Sequence, residues 1–148
     1  MLKILSDGDN KHRLEDGTGA KVGWINGRAI GFRGFSTEDA ARDAATAAWR
    51  ALDTSLRRQY PGWPHYEPDF ARLRMIHDGA YEWFHDGTTE IARLLRPQRR
   101  AFDQSYGIEL VLPSYASEGV AITAAQSVAK AVMAHRGELA ALTGGDAA

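Results

Sequence analysis

Residues 26 and 27, Asn-Gly, lie between two runs, AKVGWI and RAIGFR, in which apolar and polar side chains alternate. A period of two belongs to a strand with one buried face, and Asn-Gly supplies the positive φ that a tight hairpin demands. The spacing predicts a hairpin closed by a type I′ turn at Asn26-Gly27, preceded by a strand in HRLED and a turn in GTG. The same punctuation returns later in the chain. Asp78-Gly79 and Asp86-Gly87 divide RLRMIH, AYEWFH and TTEIARLL into a three-stranded meander, and IELVLP adds a strand before the last long segment.

Each group of strands is followed by an alanine-rich stretch with helical spacing. In FSTEDAARDAATAAWRALDTSLRR, Ser36 is placed to cap a helix with Asp39 three residues on, and Glu38 and Asp39 suit the positive end of the dipole. Ala41, Ala45, Ala48, Leu52 and Leu56 form the stripe to be buried, opposite Arg42, Asp43, Thr46, Arg50 and Asp53. In SYASEGVAITAAQSVAKAVMAHRG, Glu118 occupies the first turn, His135 and Arg136 the last, and Gly137 is placed to end the helix. Between the two groups, YPGWPHYEPDF holds three prolines and four aromatics, which rules out a helix or central strand and predicts an extended connector packed back onto the body.

An offset of 80 residues lays Glu38 over Glu118, Ala44-Ala45 over Ala124-Ala125 and Ala51-Leu52 over Ala131-Val132, with RAIGF over IELVL. This reads as a duplicated unit of strands followed by one helix, with an extra strand and loop in the second copy. The expected fold is α+β: an antiparallel sheet with two Ala-rich helices on one face, built from two related strand-strand-helix halves. Residues 1–59 make the first half, 60–70 the connector and 71–148 the second half, within one compact domain.

Composition removes several activities. The chain has no cysteine, which excludes disulfides, thiol catalysis and Cys-rich zinc sites and makes a cytoplasmic location the expectation. MLKILSDGDNKHR turns polar too soon for a signal peptide, and no run approaches the ~20 apolar residues of a membrane span, so no membrane partner is expected. With 18 basic and 19 acidic side chains, any nucleic-acid binding needs a local patch rather than a global field. No nucleophile elbow, P-loop or dinucleotide fingerprint occurs, and no cofactor is expected. DGDNKHRLEDGT opens like a calcium loop, but Lys11 and His12 stand where a ligand and the turn glycine belong, and Thr18 replaces the bidentate glutamate.

Two motifs remain. HDGAYEWFHDG, residues 77 to 87, repeats His-Asp-Gly. With both Asp-Gly steps as turns, His77 faces Ala80 and His85 faces Thr88, on opposite faces and ~17 Å apart along one strand. They cannot share a metal, and no metal site is expected. Glu82 and Glu90 likewise fall on opposite faces, with Glu82 diagonal to Arg93 and set to pair with it. The second motif, RLLRPQRR, carries Arg93, Arg96, Arg99 and Arg100 with no acid between them. Forked guanidinium donors suit phosphates, and Phe102 and Tyr106 lie near enough in sequence to stack on bases. These four arginines are the candidate contact to an anionic partner such as nucleic acid.

The sheet faces carry a further signal. Leu73, Met75, Phe84 and Ile91 fall on one face of the meander, and Ile76, Tyr81, Trp83, Ala92 and Leu94 on the other; in the first hairpin Ile25, Ile30 and Phe32 oppose Val22, Trp24 and Ala29. A second apolar face calls for cover by the other half, the connector or another subunit. The reading that follows is a non-enzymatic binding or assembly module, homo-oligomeric, with the arginine segment toward an anionic partner. The alternative is a small hydrolase-like enzyme in which His12, His65 or His77 meets an Asp or Glu in a cleft between the halves. Its catalytic residues and substrate stay unassigned.

Overall fold

Alternating segments form strands wherever a glycine-bearing turn lets the chain reverse. In the computed structural model, which describes residues 2–147 apart from His65 and residues 99–103, with side chains up to Arg136, this happens in two series. The first is β1 (Lys3–Gly8), β2 (Lys11–Glu15), β3 (Lys21–Asn26) and β4 (Ala29–Phe35), followed by α1 (Glu38–Gln59). After a 3-10 turn at Phe70–Arg72 come β5 (Arg74–Asp78), β6 (Tyr81–His85), β7 (Glu90–Leu95) and β8 (Tyr106–Val111), followed by α2 (Glu118–Ala147). All eight strands join one antiparallel sheet in the order β1-β2-β3-β4-β8-β7-β6-β5. The protein has the predicted α+β class, and its two series meet where β4 pairs with β8.

β1 is the element that sequence patterning missed. KILSDG is almost wholly exposed, as an edge strand with a partner on one side can be, so it shows no alternation. With it, each series has four strands, and the extra strand assigned to the second half has a counterpart in the first.

Two of the three expected hairpin turns sit one residue later, and the third, Asp86-Gly87, widens to a four-residue loop over 86–89, since His85 pairs with Glu90 rather than Thr88. Asn26 pairs with Ala29 and Asp78 with Tyr81, so the two-residue loops are Gly27-Arg28 and Gly79-Ala80. Gly27 and Gly79 have φ near +61° and +65° while Arg28 and Ala80 do not enter the positive region, the pattern of a type II′ turn with glycine first rather than type I′.

A bulge corrects the predicted faces of the meander. Phe84 pairs with Ala92 but His85 pairs with Glu90, leaving Ile91 as an extra residue. One inserted residue reverses the side on which everything beyond it points. Ala92 and Leu94 therefore join Phe84 and Met75 on the helix side, leaving Ile76, Tyr81 and Trp83 on the other as predicted.

The predicted stripe of α1 is buried in full, at Ala41, Ala45, Ala48, Leu52 and Leu56. Thr37 rather than Ser36 caps the helix, its hydroxyl accepting from the Ala40 amide at 3.0 Å. Asp53 is not on a solvated face: it is 5% exposed, ion-paired with Arg57 at 3.1 Å and accepting from Trp63 Nε1 of the connector at 3.2 Å. The second helix does not end at Gly137. It continues to Ala147, since one glycine costs a helix only ~1 kcal/mol.

The helices exchange halves. α1 follows β4 yet packs mainly on β8 and β7, and α2 follows β8 yet packs on β4 and β3. Their alanine faces, Ala41, Ala44, Ala45 and Ala48 on α1 and Ala121, Ala124, Ala125 and Ala129 on α2, let them lie close to each other and to the sheet. One core results, filled by Phe32, Phe35, Phe84, Ile30, Ile108 and Leu110. The connector packs on this layer: Trp49 of α1 meets Tyr66 and Phe70 edge-on at 6.3 and 6.0 Å, and Tyr60 and Trp63 meet Tyr115. Among the described residues no helix is long and apolar enough to cross a membrane.

Candidate interaction surface

With both helices and the connector on one side, no described element covers the other side of the sheet. Register assigns this open face strand by strand. Leu5 pairs with Arg13, Arg13 with Trp24, and Trp24 with Gly31. Gly31 pairs with Glu109, Glu109 with Arg93, Arg93 with Trp83, and Trp83 with Ile76. One residue from each of the eight strands thus stands in a single row across the sheet. Residues directly paired in this way share a face, so the row is continuous.

The centre of the row is bonded from strand to strand. A Cβ on Gly31 would collide with the Trp24 ring, so the glycine is what lets the indole lie flat across β4. Trp24 Nε1 then donates to Glu109 Oε2 at 2.9 Å, and Arg93 Nη1 donates to Glu109 Oε1 at 2.8 Å. Beyond it, the Arg93 guanidinium lies 4.0 Å from the Tyr81 ring centre and 5.0 Å from that of Trp83. Arg93 and Glu109 are 21% and 15% exposed, low enough for their attraction to count and high enough to avoid full desolvation. At the first edge, Arg13 pairs with Glu15 at 2.8 Å and Asp7 at 3.5 Å. The exposed apolar residues Leu5, Tyr81 and Val111 stand around this bonded centre.

The four predicted arginines do not form one patch among the described residues. Arg93 belongs to the open face, while Arg96 turns to the helix side and bonds Glu82 Oε2 at 2.6 Å and Glu38 Oε1 at 3.3 Å. Arg99 and Arg100 lie outside the described residues. Glu82 pairs with Arg96 rather than with Arg93, because Arg93 is held by Glu109 on the other face. The hydrogen bond from Arg96 keeps the Glu82 carboxyl below the usual range and raises Arg96 in return. Glu90, opposite His85, is instead raised, by burial above all.

The histidines separate as well. His77 stands beside Glu82 at 3.8 Å on the helix side, and His85 Nδ1 accepts from the Gly87 amide at 2.8 Å. Asp86, from the second His-Asp-Gly, is an anchor. Its Oδ1 accepts from the Thr88 and Thr89 amides, and its Oδ2 from the Tyr66 hydroxyl at 2.5 Å and the Asp69 amide at 3.1 Å, tying the connector to the sheet. Burial pushes this carboxyl up, but the four hydrogen bonds outweigh it and hold it at about 2.

His12 meets a carboxylate across the halves: His12 Nε2 is 3.0 Å from Glu118 Oε1 at the start of α2. His65 lies outside the described residues. The His12 side chain is 7% exposed, and its Nδ1 is buried without a hydrogen-bond partner. It is not among the residues lining the cavity of about 440 Å³ beside α2, whose walls include Leu2, Ala129, Lys130 and Met133. No three His, Asp or Glu side chains among the described residues are grouped to hold a metal ion.

The row went unseen in the sequence, although three of its members, Trp24, Ile76 and Trp83, were placed on a second face by alternation, with Tyr81 beside them. Strand order was the missing quantity: only the β4–β8 pairing brings Trp24 within reach of Glu109, 85 residues away. A glycine inside a strand, Gly31, was the available signal of close approach. Compared with family models, with curated proteins and with solved structures, the chain finds no match.

Proposed function

We propose that the protein is a non-enzymatic binding and assembly module, homo-oligomeric, whose contact surface is the open face of the sheet. The observation that carries this reading is the row from Leu5 to Ile76 with Tyr81 stacked beside it: tryptophan, tyrosine and arginine concentrated at the middle of a face that no described element covers. These three residue types dominate the energetic centres of protein interfaces. The face is also large enough. Eight strands at ~4.8 Å spacing and strands ~17 Å long give about 650 Å² per copy, or about 1,300 Å² for a pair, within the range of stable interfaces.

The pairing of charges argues against an anionic partner on this face. Arg13 and Arg93 are each neutralised by carboxylates, which leaves Arg99 and Arg100 to carry any contact with nucleic acid. The hydrolase alternative draws support from His12 and Glu118, but a histidine this deeply enclosed ties β2 to α2 rather than meeting a substrate.

Light scattering tests the proposal. The wild-type chain is expected above the 16.2 kDa of a monomer, and Leu5→Asp with Val111→Asp, two exposed positions of the open face, is expected to return it to monomer with an unchanged circular dichroism spectrum. A wild type that stays monomeric at ~100 µM defeats assembly, and a variant that stays assembled moves the interface elsewhere.

A further inference from the structure

We infer that the occupant of the open face is a second copy of this chain, related by a two-fold axis running parallel to β4 and β8, so that each half of one copy lies on the opposite half of the other. The inference rests on the assembly reading and specifies its geometry.

The row itself selects the axis. Read outward from the β4–β8 seam, the first half presents Gly31, Trp24, Arg13 and Leu5, and the second presents Glu109, Arg93, Trp83 and Ile76. The halves match in size and order but are interchanged in chemistry: tryptophan then arginine on one side, arginine then tryptophan on the other. Two sheets packed face to face lie ~10 Å apart and roughly 30° from parallel, which leaves two closed arrangements. An axis across the strands sets each half on its own copy. Arg13 then faces Arg13 of the partner subunit, and Glu109 faces Glu109 of the partner subunit. Like charges brought together away from water oppose that arrangement.

An axis along the strands does the reverse. Leu5 lies on Ile76 of the partner subunit, Arg13 on Trp83 of the partner subunit, and Trp24, whose ring already covers Gly31, on Arg93 of the partner subunit. By symmetry every contact occurs twice, giving four arginine–tryptophan stacks and two aliphatic contacts at the edges. Arg13 and Arg93 each keep the carboxylate they already have in their own chain, so no charge of the row is buried unpaired.

The chain contains no cysteine, so single cysteines placed at either edge of the row report directly on this geometry. Within one copy, Leu5 and Ile76 are seven strand spacings apart, ~34 Å, beyond the reach of a bismaleimide spanning ~10 Å. An equimolar mixture of Leu5→Cys and Ile76→Cys chains should yield a covalent dimer at least ~10-fold more efficiently than either variant alone. Efficient cross-linking of Leu5→Cys alone would overturn the axis and leave the open-face reading standing. Equal, low yields in all samples that still scatter as dimers would overturn face-to-face packing. A monomer by light scattering would instead remove the assembly reading on which the inference rests.

Discussion

On the helix side of the sheet, Ile30, Phe32, Phe84 and Ile108 are wholly buried, whereas on the open side neighbouring residues of the same strands, Trp83 and Glu109, belong to a row of rings and charges that is only partly buried. The energies differ accordingly. Full burial of one large apolar side chain is worth roughly 1.5–3 kcal/mol, while a partly exposed ion pair is worth ~0–1. Folding is therefore driven from the helix side. The open face holds its shape through bonds among its own side chains and contributes little to that burial.

Phe32→Ala presses hardest on this comparison. Removing a fully buried aromatic ring beneath α2 should cost about 3–5 kcal/mol in urea unfolding. A loss below ~1 kcal/mol would mean that the helix side is not the source of stability. Glu109→Gln tests the opposite face. It leaves Arg93 without its carboxylate and weakens the bond from Trp24, so a loss of about 2 kcal/mol is expected, with a changed tryptophan emission spectrum. A neutral result would make the row a set of independent surface residues.

Asp86 links the connector to the sheet and makes the difference depend on pH. Its folded pKa of about 2 lies below the 3.8 of an ordinary aspartate, so its stabilisation is present above pH ~4 and is lost as pH falls through 2. Asp86→Asn should cost about 2 kcal/mol at pH 7 and much less near pH 2, as read from urea midpoints at both values. An equal loss at both would place the effect in packing rather than charge. Arg96→Gln should matter least, below ~1 kcal/mol, because Arg96 is half-exposed where it bridges Glu82 and Glu38.

Much of the architecture was legible because local rules suffice for it. The stripe on α1 follows from helical spacing alone, and the hairpins follow from glycines flanked by alternation. Errors clustered where one residue decides. A hairpin loop starting at Gly27 instead of Asn26 and a bulge at Ile91 each shift register by one, and only cross-strand pairing fixes that choice. The arginine segment looked continuous in sequence. A strand sends Arg93 to one face, while Arg96, past its end, reaches acids on the other.

The sequence by itself determined which segments other than β1 are strands and helices, that alanine faces allow close packing, and that a second face would hold Trp24, Ile76, Tyr81 and Trp83. Tertiary structure alone decided that β4 pairs with β8, that the helices lie over each other's strands, and that Glu109 stands between Trp24 and Arg93. Periodicity encodes which way a side chain points relative to its own backbone. Which distant strand lies alongside is set by the total burial that one arrangement of the whole chain achieves.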